Sequence, residues 1–371
     1  MTAGSTLAQA ESGADFLVRR DDLGQARVEQ ASYPLAVQES QILCRVERFG
    51  FTANNITYAV FGDQMGYWRF FPAAAGWGRI PVWGHARVLA SGHPGIGVGE
   101  RLFGYMPMSS HALFTVGRLN PDSLTDGSPH RAQLPPAYNH YVRLPAGAPR
   151  DEPLEARQAL LRPLFMLSFV AADFLADEGL FGARRVILSS ASSKTALGLA
   201  QILGADRPGG CEIIGLTSPR NMDFVRSTGY YDAVAEYSAL TALPREQPTV
   251  FVDMAGNAAT VAAVHHHFGD QLRHSCLVGA THWDQRAAAP VALPGPQPRL
   301  LFAPDRMRKR AQDWGRQEFD RRFAAQWQRF LDSLGPWFLP VEFHGAEQVL
   351  SAYRRVLAGE TDPAEAYLLS L

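Results

Sequence analysis

The run Val186-Ile187-Leu188-Ser189-Ser190-Ala191-Ser192-Ser193-Lys194-Thr195-Ala196-Leu197-Gly198-Leu199-Ala200 constrains the fold more than any other part of the chain. Its apolar beginning reads as a buried strand, the small residues after it as a tight turn, and the spacing from Lys194 as the start of a helix. The first amides of a helix lack intrahelical acceptors and carry the positive end of the helix dipole, so a turn this small admits a pyrophosphate. Ser190, Ser192, Ser193, Lys194 and Thr195 are placed to bind it, the serines through small polar groups and Lys194 through its charge. The Gly-x-Gly-x-x-Gly fingerprint of dinucleotide-binding turns is absent, and a plain strand-to-helix turn with a serine cap satisfies the same pattern. A P-loop does not, because its glycines are missing around Lys194-Thr195.

Beyond residue 152, apolar strands alternate with helical spacing. The candidate strands 186–188, 212–216, 233–235, 250–252 and 275–278 predict an α/β fold with a parallel sheet covered on both faces. Earlier, from 16 to 116, short runs at 42–46, 80–84, 86–90 and 101–105 are broken by glycine and proline, which predicts a mainly β domain of rolled-sheet or barrel type. The proline-rich, polar segment 120–149 reads as irregular connection, and 287–297 as loop. From 308 onward helix dominates, and 338–371 carries a short strand, a helix over 345–357 and an apolar final strand.

The order and spacing of these pieces resemble the zinc-independent branch of the medium-chain dehydrogenase/reductase superfamily, the quinone oxidoreductase and enoyl reductase types. The resemblance is carried by the strand 42–48 followed by Asn54-Asn55, the Gly99-Glu100-Arg101-Leu102-Phe103-Gly104-Tyr105 turn, the core from Val186, and Ala352-Tyr353-Arg354-Arg355 leading into the last strand. More narrowly, Thr52-Ala53-Asn54-Asn55-Ile56-Thr57-Tyr58 and Ala191-Ser192-Ser193-Lys194-Thr195-Ala196 resemble the DUF2855 family. The resemblance implies a Rossmann doubly wound parallel sheet over 152–337, plus a mainly β, GroES-like catalytic domain made of 1–151 and 338–371. It also implies a homodimer paired through an edge strand. Zinc-dependent members place a ligand after the early strand and a His in a Gly-His-Glu turn; here those regions read Thr52-Ala53-Asn54-Asn55 and Gly84-His85-Ala86, which implies no metal. His265-His266-His267, with His274 and Cys276, does not replace such a site, since three consecutive helical residues point in different directions.

After the second strand of such a sheet an acidic residue binds the ribose of NAD, whereas a basic one accepts the 2′-phosphate of NADP. The stretch Gly215-Leu216-Thr217-Ser218-Pro219-Arg220-Asn221 has no acid, so Thr217, Ser218 and Arg220 point to NADP(H); a generic turn with a surface arginine is the alternative. By resemblance, Gly256 in the Asp253-Met254-Ala255-Gly256-Asn257 loop and Gly279-Ala280-Thr281 form the nicotinamide side, and Tyr237 stands near adenine or packs at the core edge. Enoyl reductases of the superfamily use a tyrosine near the early Asn segment. Tyr58 matches it, with Tyr67 second and Asn55 as the group that orients it, against the alternative that Tyr58 only packs. The aromatic run Tyr67-Trp68-Arg69-Phe70-Phe71 with Trp77 suits a small apolar, acyl or aromatic substrate. The function this implies is an NADPH-dependent reductase that transfers hydride to an enone, enoyl thioester or quinone. A non-catalytic NADPH-binding or partner-binding protein is the competing expectation.

A formal net charge of -1 argues against nucleic-acid binding, and Met307-Arg308-Lys309-Arg310 reads as a solvated helix face. No basic leader with an apolar core begins the sequence and no run reads as a bilayer span, so the expectation is a cytoplasmic protein without membrane contact. Cys44, Cys211 and Cys276 lie far apart in apolar segments and read as buried free thiols.

Overall fold

The computed structural model describes residues 10–144, 147, 150–278 and 292–371. Its chain divides into two compact units, one comprising the residues up to Leu160 with Pro340–Thr361 and Ala366–Leu371, the other Leu161–Leu339 with Asp362–Glu365.

The first unit begins with β1 (Ala10–Arg19), β2 (Ala26–Pro34) and β3 (Gln41–Phe51), then α1 (Ala53–Val60), β4 (Trp77–Gly78), β5 (Pro81–Ser91), β6 (Arg101–Pro107), β7 (His111–Leu119), β8 (Ser123–Asp126) and β9 (His140–Leu144). Strands β3-β5-β6-β9-β8-β7 pair in that order, and β3 also pairs with β7 through Ile42↔Phe114 and Cys44↔Ala112. The ring therefore closes, which leaves no open edge among its six strands. Val46, Val88, Leu102, Phe114, Leu124 and Tyr141 fill it. Gly104 is required there, since a Cβ on it would lie 2.3 Å from the Tyr141 ring. Within the segment 120–149, residues 120–144 are not irregular as the composition suggests: β8 and β9 are barrel strands, too short and too closely flanked by proline and polar residues for alternation to register. Strands β1, β2 and β4 form a separate antiparallel sheet.

Next comes α2 (Glu152–Asp177), which alone among the described residues is long and apolar enough to cross a membrane. That departs from the sequence reading, because the charges at its ends flank a long apolar middle; most of that stretch is buried within the fold. Within the first unit its residue Ala159 presents a carbonyl 2.6 Å from where a Cβ on Gly50 would stand, so β3 needs glycine at that crossing.

The second unit runs β10 (Arg185–Leu188), α3 (Lys194–Asp206), β11 (Glu212–Thr217), α4 (Met222–Ser227), β12 (Ala233–Glu236), β13 (Thr249–Asp253), α5 (Ala258–Phe268), β14 (Leu272–Leu277), β15 (Arg299–Leu300), α6 (Ala303–Trp314) and α7 (Arg316–Ser333). Its six strands are parallel in the order β12-β11-β10-β13-β14-β15. Ile187, Leu216, Phe251, Val264 and Phe268 share one core cluster, and Phe165 of α2 stacks on Phe330 of α7 at 4.7 Å between ring centroids. Arg310 is not on a solvated face. It and Arg306 are buried against Asp173, with Arg310 also 2.7 Å from Asp177, while Arg308 and Lys309 make the exposed pairs with Asp305 and Asp313. The three cysteines are buried free thiols.

The chain then forms β16 (Leu339–His344), α8 (Gly345–Leu357) and β17 (Glu365–Ser370), and β17 pairs antiparallel with β3 through Tyr367↔Phe51 and Leu369↔Phe49. At the same end of the first unit, the Arg101 guanidinium holds Glu155 by two hydrogen bonds of 2.5 and 2.8 Å and Glu47 by one of 2.7 Å, and Arg48 adds a 3.0 Å bond to Glu155. Burial by itself raises the Glu155 pKa, but the hydrogen bonds and charge of Arg101, with His85 and Arg48, bring it down to about 2. A carboxyl depressed in the folded state stabilises above its unfolded pKa, and that stability is lost as pH falls from about 4.5 towards 2. Glu155→Gln is expected to cost about 3 kcal/mol at neutral pH and to flatten the fall in stability over that acid window. Urea unfolding of both forms across pH reads both effects.

Candidate functional site

Two groups of residues concentrate unusual chemistry, one in each unit. In the second, the chain leaves β10 through Ser189, whose buried hydroxyl donates to Asp253 at 2.5 Å and accepts the amides of Met254 at 2.8 Å and Ala255 at 3.1 Å. Asp253 in turn accepts the Ala255 amide at 3.1 Å and the Gly256 amide at 3.0 Å. The turns after β10 and β13 are thereby fastened to each other at the carboxyl edge of the sheet.

Ser190 follows with φ 48°, a left-handed conformation that usually selects glycine. Its amide donates to the Tyr237 hydroxyl at 2.8 Å. Tyr237 thus supports the turn itself, and burial raises its phenol to about 12. Ala191 is held by its carbonyl, which accepts the Tyr231 hydroxyl at 2.8 Å, and its methyl presses on β11 so closely that a Cβ on Gly215 would stand 2.8 Å away. The Ser192 hydroxyl accepts from the Asn221 amide at 3.1 Å. Ser193 caps α3 by accepting the Ala196 amide at 3.3 Å. The amides of Lys194 and Thr195, first in α3, have no acceptor within the helix.

Lys194 departs from its expected role. Its ammonium is part-buried and donates to the carbonyls of Pro363 at 3.1 Å and Glu365 at 2.9 Å, and desolvation pulls its pKa to about 8. The charge assigned to a phosphate is committed instead to the 362–365 segment. Thr195 contributes through its backbone, its carbonyl accepting the Ser168 hydroxyl at 2.7 Å. Thr217 ends β11 buried, Ser218 begins the following turn, and Arg220 is exposed one residue beyond Pro219. Gly256 has φ 71° in the loop after β13; Gly279, Ala280 and Thr281 lie outside the described residues.

In the first unit Asn55 does not orient Tyr58. Its side chain accepts the Thr52 amide at 2.8 Å and donates to the Pro81 carbonyl at 3.0 Å, a reciprocal cap that begins α1 and ties it to β5. Tyr58 itself is buried, with its ring 4.7 Å from Tyr67, 5.7 Å from Tyr105 and 6.4 Å from Tyr138. Burial, followed by the neighbouring Tyr67, pushes its phenol well above the ordinary value. Sequence reasoning missed Tyr105, Tyr138 and Trp83. Tyr138 stands in the segment read as irregular, and Tyr105 and Trp83 occur in strands where an aromatic residue signals packing first.

His85 is fully buried in β5, with Nε2 3.3 Å from Gln158 and its ring 4.9 Å from Phe103; burial lowers its pKa to about 4. His265 holds Pro294 and Ser275, His267 holds Leu243, and His274 stacks on Phe181. His85, His265 and His267 are thus each engaged by a separate polar group, and His274 by a ring.

Among curated proteins none matches the sequence. Solved structures share its fold. CurA from Vibrio vulnificus in complex with NADPH is 13% identical, covering 98% of this chain and 99% of that one with a TM-score of 0.60. An Etr1p mutant in complex with NADP and crotonyl-CoA is 8% identical, covering 98% and 100% with a TM-score of 0.58. A mutant enoyl thioester reductase from Candida tropicalis is 9% identical, covering 97% and 100% with a TM-score of 0.56. Such low identities carry the fold and no more. At the level of sequence a family model described as a protein of unknown function, DUF2855, matches residues 49–362, and the chain belongs to that family.

Proposed function

We propose that this chain is an NADP(H)-dependent reductase that delivers hydride to a conjugated carbonyl acceptor, an enone, enoyl thioester or quinone, without a metal. In this reading the second unit is a Rossmann cofactor domain and the first a GroES-like acceptor domain. The observation that carries it is Ser190 in a left-handed turn, between β10 and the open amino end of α3, at the point where the strand order β12-β11-β10 reverses to β13-β14-β15. Ligands of open parallel sheets bind at such a reversal.

The residues present fit the cofactor. The turn is lined by serine and alanine, its first helical amides are free of intrahelical acceptors, and the Lys194 side chain is turned away to the 362–365 carbonyls. Ser190, Ser192, Ser193 and Thr195 would hold the pyrophosphate. Thr217, Ser218 and the exposed Arg220 would hold the 2′-phosphate, and Gly256 lets the loop after β13 come close to the nicotinamide side. Two solved structures of this fold are described as complexes with NADPH or NADP, which supports the choice. When bound, the nicotinamide supplies the hydride, and the acceptor gains that hydride together with one proton. Tyr58 would donate a hydrogen bond to the acceptor oxygen as negative charge develops there. Its raised pKa keeps the hydroxyl protonated at neutral pH, the form this role needs.

Titration of the protein with each cofactor, followed by nicotinamide fluorescence, is expected to show tighter binding of NADPH than of NADH. Arg220→Ala should weaken NADPH by about tenfold, the loss of one charge-assisted contact, and leave NADH unchanged. Equal affinities in the native protein would remove the cofactor assignment. Tyr58→Phe is expected to lower kcat by about a hundredfold while NADPH affinity stays within twofold; steady-state kinetics with an enone acceptor measures it, and unchanged turnover would take Tyr58 out of the reaction.

A further inference from the structure

Two turns of the second unit are joined twice at the carboxyl edge of its sheet. The Ala191 amide donates to the Leu216 carbonyl at 3.0 Å, and the Asn221 side-chain amide donates to the Ser192 hydroxyl at 3.1 Å. Each turn is also closed on itself, the first by the Ser193 amide to the Ser190 carbonyl at 2.8 Å, the second by the Asn221 amide to the Ser218 carbonyl at 3.0 Å. Pro219 stiffens the second turn, so Arg220 is carried on a short frame that ends at Asn221.

The Asn221 side chain is not used where its position suggests. It stands at the amino-terminal cap of α4, where asparagine ordinarily accepts an amide of its own helix, yet it makes no such bond. It reaches Ser192 instead, 29 residues away in sequence. A serine oxygen that accepts from Asn221 keeps its own hydrogen to donate, and among the described residues no group takes it. Ser192 shares its turn with the first amides of α3, which have no acceptor within the helix, and such a set of donors suits an anion. The neutrality of Asn221 matters too. A carboxylate of the same shape would accept the Ser192 hydrogen, withdraw that donor from a ligand, and set a negative charge one residue from Arg220.

We infer that Asn221 is a positioning residue of the proposed cofactor site: it makes Ser192 a donor to the pyrophosphate, fixes the span from there to Arg220, and by its neutrality admits a 2′-phosphate. This rests on the NADP(H) reading and adds to it a residue that need not touch the cofactor.

The test measures NADPH and NADH binding by calorimetry, with the full chain, for the native protein and for Asn221→Asp, Asn221→Ala, Ser192→Ala and the double alanine variant. Asn221→Asp keeps the shape and is an equally good cap, so a residue that only supports the fold would leave both binding and melting temperature unchanged. The expected result is NADPH weakened about a hundredfold and NADH about tenfold, with the melting temperature retained. Each single alanine variant should weaken NADPH about tenfold, and the double variant no more than either one, because Asn221 acts through Ser192. Asn221→Asp decides alone if Asn221→Ala does not fold. Unchanged affinities in Asn221→Asp, equal losses for the two cofactors, or losses that multiply in the double variant would each overturn the inference and leave the cofactor reading standing. Absence of binding by the native protein would overturn that reading, and the inference with it.

Discussion

The hydrogen bond from Ser189 to Asp253 is the contact on which the second unit's edge is built. A buried carboxylate is costly in isolation, but this one accepts the Ser189 hydroxyl and the amides of Ala255 and Gly256. Ser189 accepts two further amides, so a single hydroxyl and a single carboxylate satisfy the start of two neighbouring turns. The consequence is positional. With the turn after β10 pinned to the loop after β13, Ser190 must enter a left-handed conformation to bring the chain round to the cap of α3. Glycine would adopt it without cost; serine requires support, which the Tyr237 hydroxyl supplies at the Ser190 amide.

Lys194 follows from the same geometry. A long side chain at the first position of α3 would fill the space a phosphate needs, unless something draws it aside. Two carbonyls of the 362–365 segment do so, and desolvation at that position lowers the ammonium's pKa to about 8. An amine held this way keeps its charge at neutral pH because its donors are matched, while its position leaves the first amides of the helix exposed to a ligand. Replacing the glycines of the usual fingerprint has therefore been compensated residue by residue: Ser190 by Tyr237, Lys194 by backbone carbonyls, and the close approach to β11 by Ala191 against Gly215.

Much of this architecture was legible because it rests on periodicity. The central strands β10, β11 and β13 of the parallel sheet carry short buried apolar runs, and α8 at Gly345–Leu357 has a strong enough stripe to be bounded from sequence. Strands β8 and β9 were not, since strands of four or five residues beside prolines carry too few alternations. The site was legible where it depends on local chemistry, as in the cap at Ser193, and illegible where partners are remote. Nothing in the sequence near Lys194 announces carbonyls 169 and 171 residues away. Asn55 misled for the opposite reason: a residue of the right type at the right place is spent on capping its own helix, and only the bonds to Thr52 and Pro81 reveal it. Likewise, Arg310 looked solvated because helix spacing shows which residues share a face but not that Asp173 and Asp177 lie opposite it.

The two units carry their unfavourable features in places that make sense together with the proposed chemistry. Arg131 shows how completely this fold can satisfy a buried polar group: its guanidinium binds Asp126, the Tyr141 hydroxyl and the Phe70 carbonyl. Tyr105, whose ring lies 5.2 Å from that same Phe70, has no such partner for its hydroxyl, although a phenylalanine there would pack equally well and leave nothing unpaired. Ser190 poses the same contrast in the second unit, where glycine would remove the strain. The strained Ser190 is retained at the turn where the proposed cofactor would find helix amides already held in place. Pre-organised donors cost stability in the free protein and repay it on binding, because no rearrangement is then needed to meet the ligand.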